Sequence, residues 1–321
     1  MIRSHYAPLH VAAVTHPGLG GRQNEDRFSV SAYRVSASDD TSSAFAIVSD
    51  GVGGHRAGEV AAEMAVETIS HIVAQSDARQ PLATLDHAIQ VASDAIAAKA
   101  KDDTQRLGMG TTCACAWVIG SRLFIASVGD SRIYLLRNRR LMQLTTDHTW
   151  VQEAMERGIL RPAEARDHPN VHVIRRYLGS TSTPKPDTRL RLAKEETDTQ
   201  ARSNQGLRLL PGDLLLLCTD GLTDVVEDQE IEPTIRGLDL QAAAQALLNL
   251  ALSRKAQDNI TVILMMLPWQ GRSSKRKKSR FWTLALGGLA GLCLVSLLIA
   301  GISWGVFRYM LPPAVTPALI P

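Results

Sequence analysis

Seven short apolar runs punctuate the chain: "HVAAV" (10–14), "AFAIVS" (44–49), "CACAWVI" (113–119), "LFIASV" (123–128), "RIYLL" (132–136), "LLLLCT" (214–219) and "ITVILMM" (260–266). Each is the length of a strand, and turn residues bound most of them. Two stretches change period. In "GEVAAEMAVETISHIVA", Val60, Ala61, Met64, Ala65, Thr68 and Ile72 fall on one helical face, and in "PLATLDHAIQVASDAIAAKA" Leu85, Ala88, Ile89, Ala92 and Ile96 do so. A third helix is predicted over 239–256, with Asp239 as its N-cap. Strands come in clusters, two helices sit together, and strands resume, which is an α+β pattern. Residues 145–205 are weakly patterned and read as a surface excursion, with 191–206 as a solvated loop. No internal repeat is visible.

The pattern changes at the C-terminus. Phe281 to Phe307 is 27 residues without a charge, between Trp282 near one end and Trp304 near the other. As a helix it would be roughly 40 Å long, enough to span a hydrocarbon core of about 30 Å. Six Lys or Arg precede it in "GRSSKRKKSR" (271–280), and only Arg308 follows. Basic flanks mark the cytoplasmic side. The expectation is a body, residues 1–270, in the cytoplasm, a basic linker that also touches anionic lipid, a single membrane span over 281–307, and an outer tail over 308–321. Gly287 and Gly291 have a helix-pairing spacing. The N-terminus lacks the basic and long apolar segments of a signal peptide.

This division changes the meaning of the charge. Residues 271–321 hold seven Lys or Arg and no Asp or Glu, so removing them from the net +3 leaves −4 for residues 1–270. A mildly acidic body argues against a nucleic-acid surface. The four cysteines, Cys113, Cys115, Cys218 and Cys293, form no CxxC pair and read as buried thiols.

Acids sit where the strands end. Asp50, Asp130 and Asp220 each follow an apolar run, while Asp26 and Asp258 each precede one. If 28–33 pairs with 44–49, and 214–219 with 260–265, antiparallel geometry puts Asp26 beside Asp50 and Asp220 beside Asp258. Carboxylates so gathered raise one another's pKa, and a hard divalent cation relieves the conflict. The plainer alternative is that each Asp-Gly makes a turn. The glycines of "VSDGVGGHRAGE" (48–59) suggest a phosphate loop, but Arg56 stands where a dinucleotide fingerprint needs its third glycine, and no Walker lysine is present.

Seven segments in order, "RQNEDRF" (22–28), "VSDGVGGHRAGE", "GMGTTC" (108–113), "SVGDSRIYLL" (127–136), "LTTDHTW" (144–150), "LLPGDLLLLCTDGLTD" (209–224) and "AQDNITVIL" (256–264), resemble the bacterial metal-dependent serine/threonine phosphatases of the protein phosphatase 2C family. The resemblance spans residues 10–266 and implies a four-layer α-β-β-α sandwich of two antiparallel sheets flanked by helices. It implies that Asp26, Asp50, Asp220 and Asp258, with the backbone carbonyl of Gly51, hold two Mn²⁺ or Mg²⁺ ions. Asp130 and Asp220 would hold a third. It implies one-step hydrolysis of phosphoserine and phosphothreonine in proteins by a water that two metals activate, with Cys218 no nucleophile. Glu25 would stand behind the metal acids.

Two positions depart from the family pattern. Many members carry a phosphate-binding arginine four residues before the Glu of "ED", whereas Arg22 is three before Glu25; Arg22 is assigned that contact through a one-residue slip. Animal members carry a histidine after "DG", where this chain has Val52; His55, nearby, either shapes the loop or protonates a leaving group. Phosphoproteins, including a Ser/Thr kinase, are the expected partners, with no nucleotide and no nucleic acid. A catalytically inactive phosphatase-like module that binds or regulates phosphoproteins is the competing reading, and its mark would be a lost metal acid.

Overall fold

The computed structural model describes residues 1–4, 9–21, 23–53, 57–102, 106 and 108–268. The expected basic linker, membrane span and tail (271–321), together with Arg22, His55 and Cys293, lie outside the described residues. Among the described residues no helix is long and apolar enough to cross a membrane.

In chain order the elements are β1 (Ile2–Arg3), β2 (His10–His16), β3 (Arg27–Arg34), β4 (Ser42–Ser49), β5 (Gly51–Val52), α1 (Ala57–Gln75) and α2 (Pro81–Lys101). Then come β6 (Gly110–Thr111), β7 (Cys113–Ile119), β8 (Arg122–Val128), β9 (Arg132–Arg137) and β10 (Arg140–Gln143). The rest are α3 (Trp150–Glu156), α4 (Pro162–Ala165), α5 (Asp198–Ser203), β11 (Leu207–Arg208), β12 (Leu214–Cys218), α6 (Asp220–Thr223), α7 (Asp228–Ile235), α8 (Leu240–Ser253) and β13 (Ile260–Met266). One antiparallel sheet runs β1-β3-β4-β7-β8-β11 and a second runs β10-β9-β12-β13-β2.

Alternation along the strands builds the layers. On β4 and β7, Phe45, Ile47, Cys115 and Trp117 point to α1 and α2, while Ala46, Val48, Ala114 and Ala116 point to the other sheet. On β12, Leu215 and Leu217 face the first sheet, and Leu214, Leu216 and Cys218 face α7 and α8. Three apolar layers thus separate four layers of secondary structure, the α-β-β-α order expected. Such strands look continuously apolar in sequence because both faces are covered.

The α2 face is as expected, and Asp239 caps α8 by accepting from the Ala242 N–H at 2.9 Å. The α1 face is rotated. Ala61, Ala65, Ile69 and Val73 are fully buried, whereas Val60, Met64 and Ile72 are half-buried on its flank. The helix is packed by both a sheet and α2, so its apolar stripe is wider than a single face.

Residues 145–205 are anchored more deeply than a surface excursion. Leu178 enters the α1–α2 layer and Leu190 the layer between the sheets. The expected solvated loop at 191–206 contains α5, started by a capping box in which Thr197 and Gln200 satisfy each other's backbone N–H.

Candidate metal centre

The register delivers the predicted acids to one end of the sandwich. Arg27 pairs with Ser49, so Asp26 and Asp50 are the next opposed positions of β3 and β4. Cys218 pairs with Arg132 on one side and Val262 on the other, so the same register continued sets Asp220 opposite Asp130 and near the start of β13. Asp220 is the hub: Asp26, Asp50, Asp130 and Asp258 all interact electrostatically with it, and Asp50 comes within hydrogen-bonding reach of it.

Three of the acids are held from behind. Asp26 Oδ2 accepts from Thr219 Oγ1 at 2.9 Å and Thr261 Oγ1 at 2.7 Å. The Asp50 backbone is clamped by Thr112, whose N–H donates to the Asp50 carbonyl and whose Oγ1 accepts from the Asp50 N–H at 3.0 Å. Asn259 ties Asp258 to the N-terminal segment, its N–H donating to Asp258 Oδ1 and its side chain bonding Glu25 N and the Pro17 carbonyl. The hydroxyls are threonines on buried strand ends, where a β-branched residue packs while its oxygen serves the acid.

Two glycines allow a close approach. A Cβ on Gly51 would lie 2.2 Å from the Gly58 carbonyl oxygen, and one on Gly58 would lie 2.6 Å from the Gly51 carbonyl oxygen and 2.9 Å from Glu25 Oε2. Backbone therefore packs on backbone where α1 begins, and Glu25 lies against that first turn. Gly53, with φ +144°, performs the turn itself.

Without a cation, burial and mutual repulsion disfavour charge on these acids. Burial pushes Asp26 up to about 7, with Asp220 and Asp258 adding to it against the two threonine hydrogen bonds. Burial, then Asp220, raises Asp50 and Asp130 well above the carboxylate range, and burial and Asp258 raise Asp220. Among the described residues, four buried side-chain polar atoms lack a partner, and three are Asp26 Oδ1, Asp130 Oδ1 and Asp220 Oδ1. Uncompensated buried oxygens cost stability unless something binds them. A set of hard oxygen donors with unfilled lone pairs fits Mg²⁺ or Mn²⁺.

Sequence reasoning missed two neighbours. His172, Asp220 and Asp224 place one ligand atom each within 4.8 Å of one another, and His172 Nδ1 lies 3.3 Å from Asp224 Oδ2. Asp224 had a signal, since it lies one helical turn after Asp220 in "TDGLTD" and α6 starts at Asp220. His172 had none, because its place depends on how 145–205 folds back.

This end of the sandwich is that of a phosphatase fold. Residues 20–261 match the family model for protein phosphatase 2C, and the chain belongs to that family. It is 38% identical over 224 residues to the serine/threonine phosphatase stp of Listeria monocytogenes, covering 68% of this chain and 82% of that one. It is 33% identical over 256 residues to the serine/threonine protein phosphatase PstP of Mycobacterium tuberculosis, covering 80% of this chain but only 44% of that one, so it spans less than half of that relative's length. The crystal structure of the mycobacterial phosphatase superposes with a TM-score of 0.68 at 32% identity, covering 81% of this chain and 99% of that one. A structure of the PstP catalytic domain in complex with two manganese ions superposes with a TM-score of 0.65 at 31% identity, covering 80% and 97%.

Proposed function

We propose that this chain hydrolyses phosphoserine and phosphothreonine in proteins, using two or three Mn²⁺ or Mg²⁺ ions. The observation that carries the reading is the set of three orphaned carboxylate oxygens on Asp26, Asp130 and Asp220. Asp26, Asp50, Asp220, Asp258 and the Gly51 carbonyl would hold one pair of ions, and Asp130 with Asp220 a further one. When bound, the ions supply charge that lowers the pKa of water and offsets the charge on phosphoryl oxygens.

The chain's own residues do the rest. Thr219 and Thr261 fix Asp26, so its free oxygen keeps one direction. Such orientation fixes a donor before the substrate arrives. Arg22 is proposed to grip the substrate phosphate as a bidentate partner. Cys218 is fully buried and burial pushes its thiol up, so it offers no thiolate for a covalent route. All five aspartates are retained, which weighs against an inactive regulatory module.

The same proposal includes a membrane anchor. Residues 281–307 would span the bilayer, with the basic run 271–280 on the cytoplasmic side against anionic lipid. The anchor would raise the local concentration of membrane-bound phosphoproteins, a Ser/Thr kinase among them. Fusing a reporter after Pro321 tests this: accessibility from outside only is expected, and a cytoplasmic signal overturns the orientation.

Activity is tested on the full chain in mild detergent with a phosphothreonine peptide. Turnover with Mn²⁺ is expected, with loss in EDTA and a strong reduction in Asp220→Asn. Full activity in EDTA, or in the variant, would sink the metal reading. Tight binding of the phosphopeptide without turnover would favour the regulatory module.

A further inference from the structure

One motif remains unabsorbed by the metal acids, "LTTDHTW" at 144–150. It lies along the loop Gly129–Ser131, which carries Asp130 as the chain crosses from β8 in one sheet to β9 in the other. A crossover loop has no ladder on either side to fix it. Side chains of the motif hold the start of β9, where the loop ends. Thr145 Oγ1 accepts from the Ile133 N–H at 3.1 Å, and Asp147 Oδ2 accepts from Arg132 Nη2 at 2.6 Å.

His148 holds the residue before Asp130, as Thr112 Oγ1 holds Ser131 Oγ after it at 2.7 Å. Its backbone N–H donates to the Gly129 carbonyl at 2.9 Å, and its Nδ1 accepts from the Gly129 N–H at 3.0 Å. One residue thus holds both polar groups of Gly129. Since Nδ1 accepts, the ring proton sits on Nε2, which faces Asp187 Oδ2 at 3.3 Å. Asp187 is itself fixed, by Arg189 through Nε at 2.7 Å and by a two-way backbone bridge to Ser127 at 2.9 Å each way. His148 and Asp187 are buried, 3% and 8% exposed. Gly129 has φ +102°, and a Cβ there would lie 2.6 Å from Thr112 Cβ, so the loop has no slack on its other side.

We infer that His148 is a positioning residue for Asp130, and that the Asp187–His148–Gly129 chain sets the affinity of the cation position built on Asp130. This rests on the metal reading above. The effect should be selective. Thr219 and Thr261 hold Asp26 and Asn259 holds Asp258, and none of these contacts passes through His148; Thr112, which holds Asp50, borders the same loop at Gly129 and Ser131.

Mn²⁺ binding to the full chain, followed by calorimetry and by the paramagnetic signal of free Mn²⁺, tests it without an activity readout. Four proteins are compared: the wild type, Asp130→Asn, His148→Gln and His148→Asn. Asn can place Oδ1 where Nδ1 stood and keep the Gly129 bond; Gln reaches towards Asp187 instead. Asp130→Asn should lose one class of Mn²⁺ site. His148→Gln should weaken that same class about 10- to 100-fold and the other sites far less. His148→Asn, which keeps the Gly129 bond but loses the contact with Asp187, should weaken that class less than His148→Gln does. If Asp130→Asn binds Mn²⁺ as the wild type does, the cation reading of Asp130 fails. If Asp130→Asn loses a site and His148→Gln does not, the metal reading survives and the positioning role is overturned. Weakening of every class of Mn²⁺ site alike in His148→Gln, or folding of Asn but not Gln, also overturns it, because His148 would then serve the fold rather than the cation.

Discussion

The middle of the sandwich and its acid end are built from the same strands, yet they solve opposite problems. In the middle, Val48, Ala116, Leu217 and Ile263 pack together between the sheets. At the end, one or two residues beyond the tips of β3, β4 and β8, Asp26, Asp50 and Asp130 are 3%, 9% and 7% exposed and crowd against Asp220. The first arrangement stabilises the fold through apolar burial. The second opposes it, since buried like charges raise each other's pKa. The strands act as rigid holders whose cores offset the cost of the site at their tips.

That contrast can be broken from either side. Asp26→Asn should cost about 10³-fold in phosphatase turnover, the several kcal/mol expected when metal charge is misplaced. The metal-free variant should melt no lower than the wild type at pH 8, because it removes a carboxyl that burial pushes up to about 7 while its amide oxygen still accepts from Thr219 and Thr261. A lowered Tm with activity kept would reverse the assignment of the two regions. Leu217→Ala attacks the middle, where Leu217 is fully buried. It should lose about 2–5 kcal/mol of stability, a fall of roughly 5–15 °C in Tm for a domain this size, while Mn²⁺ affinity well below the melt stays at the wild-type value. Weakened Mn²⁺ affinity there would show that the strand centres are not independent of the tips.

The two regions were unequally legible in the sequence. The core announced itself through strand-length apolar runs and helical periodicity, and seven strands fall where those runs predict. The α1 face was rotated because a helix covered on two sides has no single stripe. The five aspartates were legible because strand ends in antiparallel sheets converge, and the register of Arg27 with Ser49 and of Cys218 with Arg132 carries them there. Their supports were less so. Thr219 and Thr261 look like ordinary strand residues, and only tertiary pairing turns their hydroxyls toward Asp26. His172 and Asp187 were hidden for a further reason: 145–205 has no long periodic element, so its backbone is fixed by isolated bridges such as Ser127 with Asp187 and Thr149 with Ile174. Local pattern carries no signal for such contacts.

The smallest of the expected effects separates the two regions without any mutation. Asp26 has an ordinary value of 3.8 and a folded value of about 7, so between those two pH values the folded chain keeps a proton that the unfolded chain has released. Stability falls with rising pH wherever the native state binds more protons. The metal-free protein should therefore lose stability as pH rises from about 4 to 7, and Asp50, Asp130 and Asp220, all raised as well, push in the same direction. Mn²⁺ and protons compete for the same oxygens. At pH 8, Mn²⁺ at a hundredfold excess over its Kd should add about 2.7 kcal/mol, or roughly 5–10 °C in Tm; at pH 5 the gain should be visibly smaller. Differential scanning calorimetry across this range reads both slopes. The apolar middle carries no titrating group and contributes to neither, so a Mn²⁺ shift that is the same at pH 5 and pH 8 would mean the ion binds away from these carboxylates.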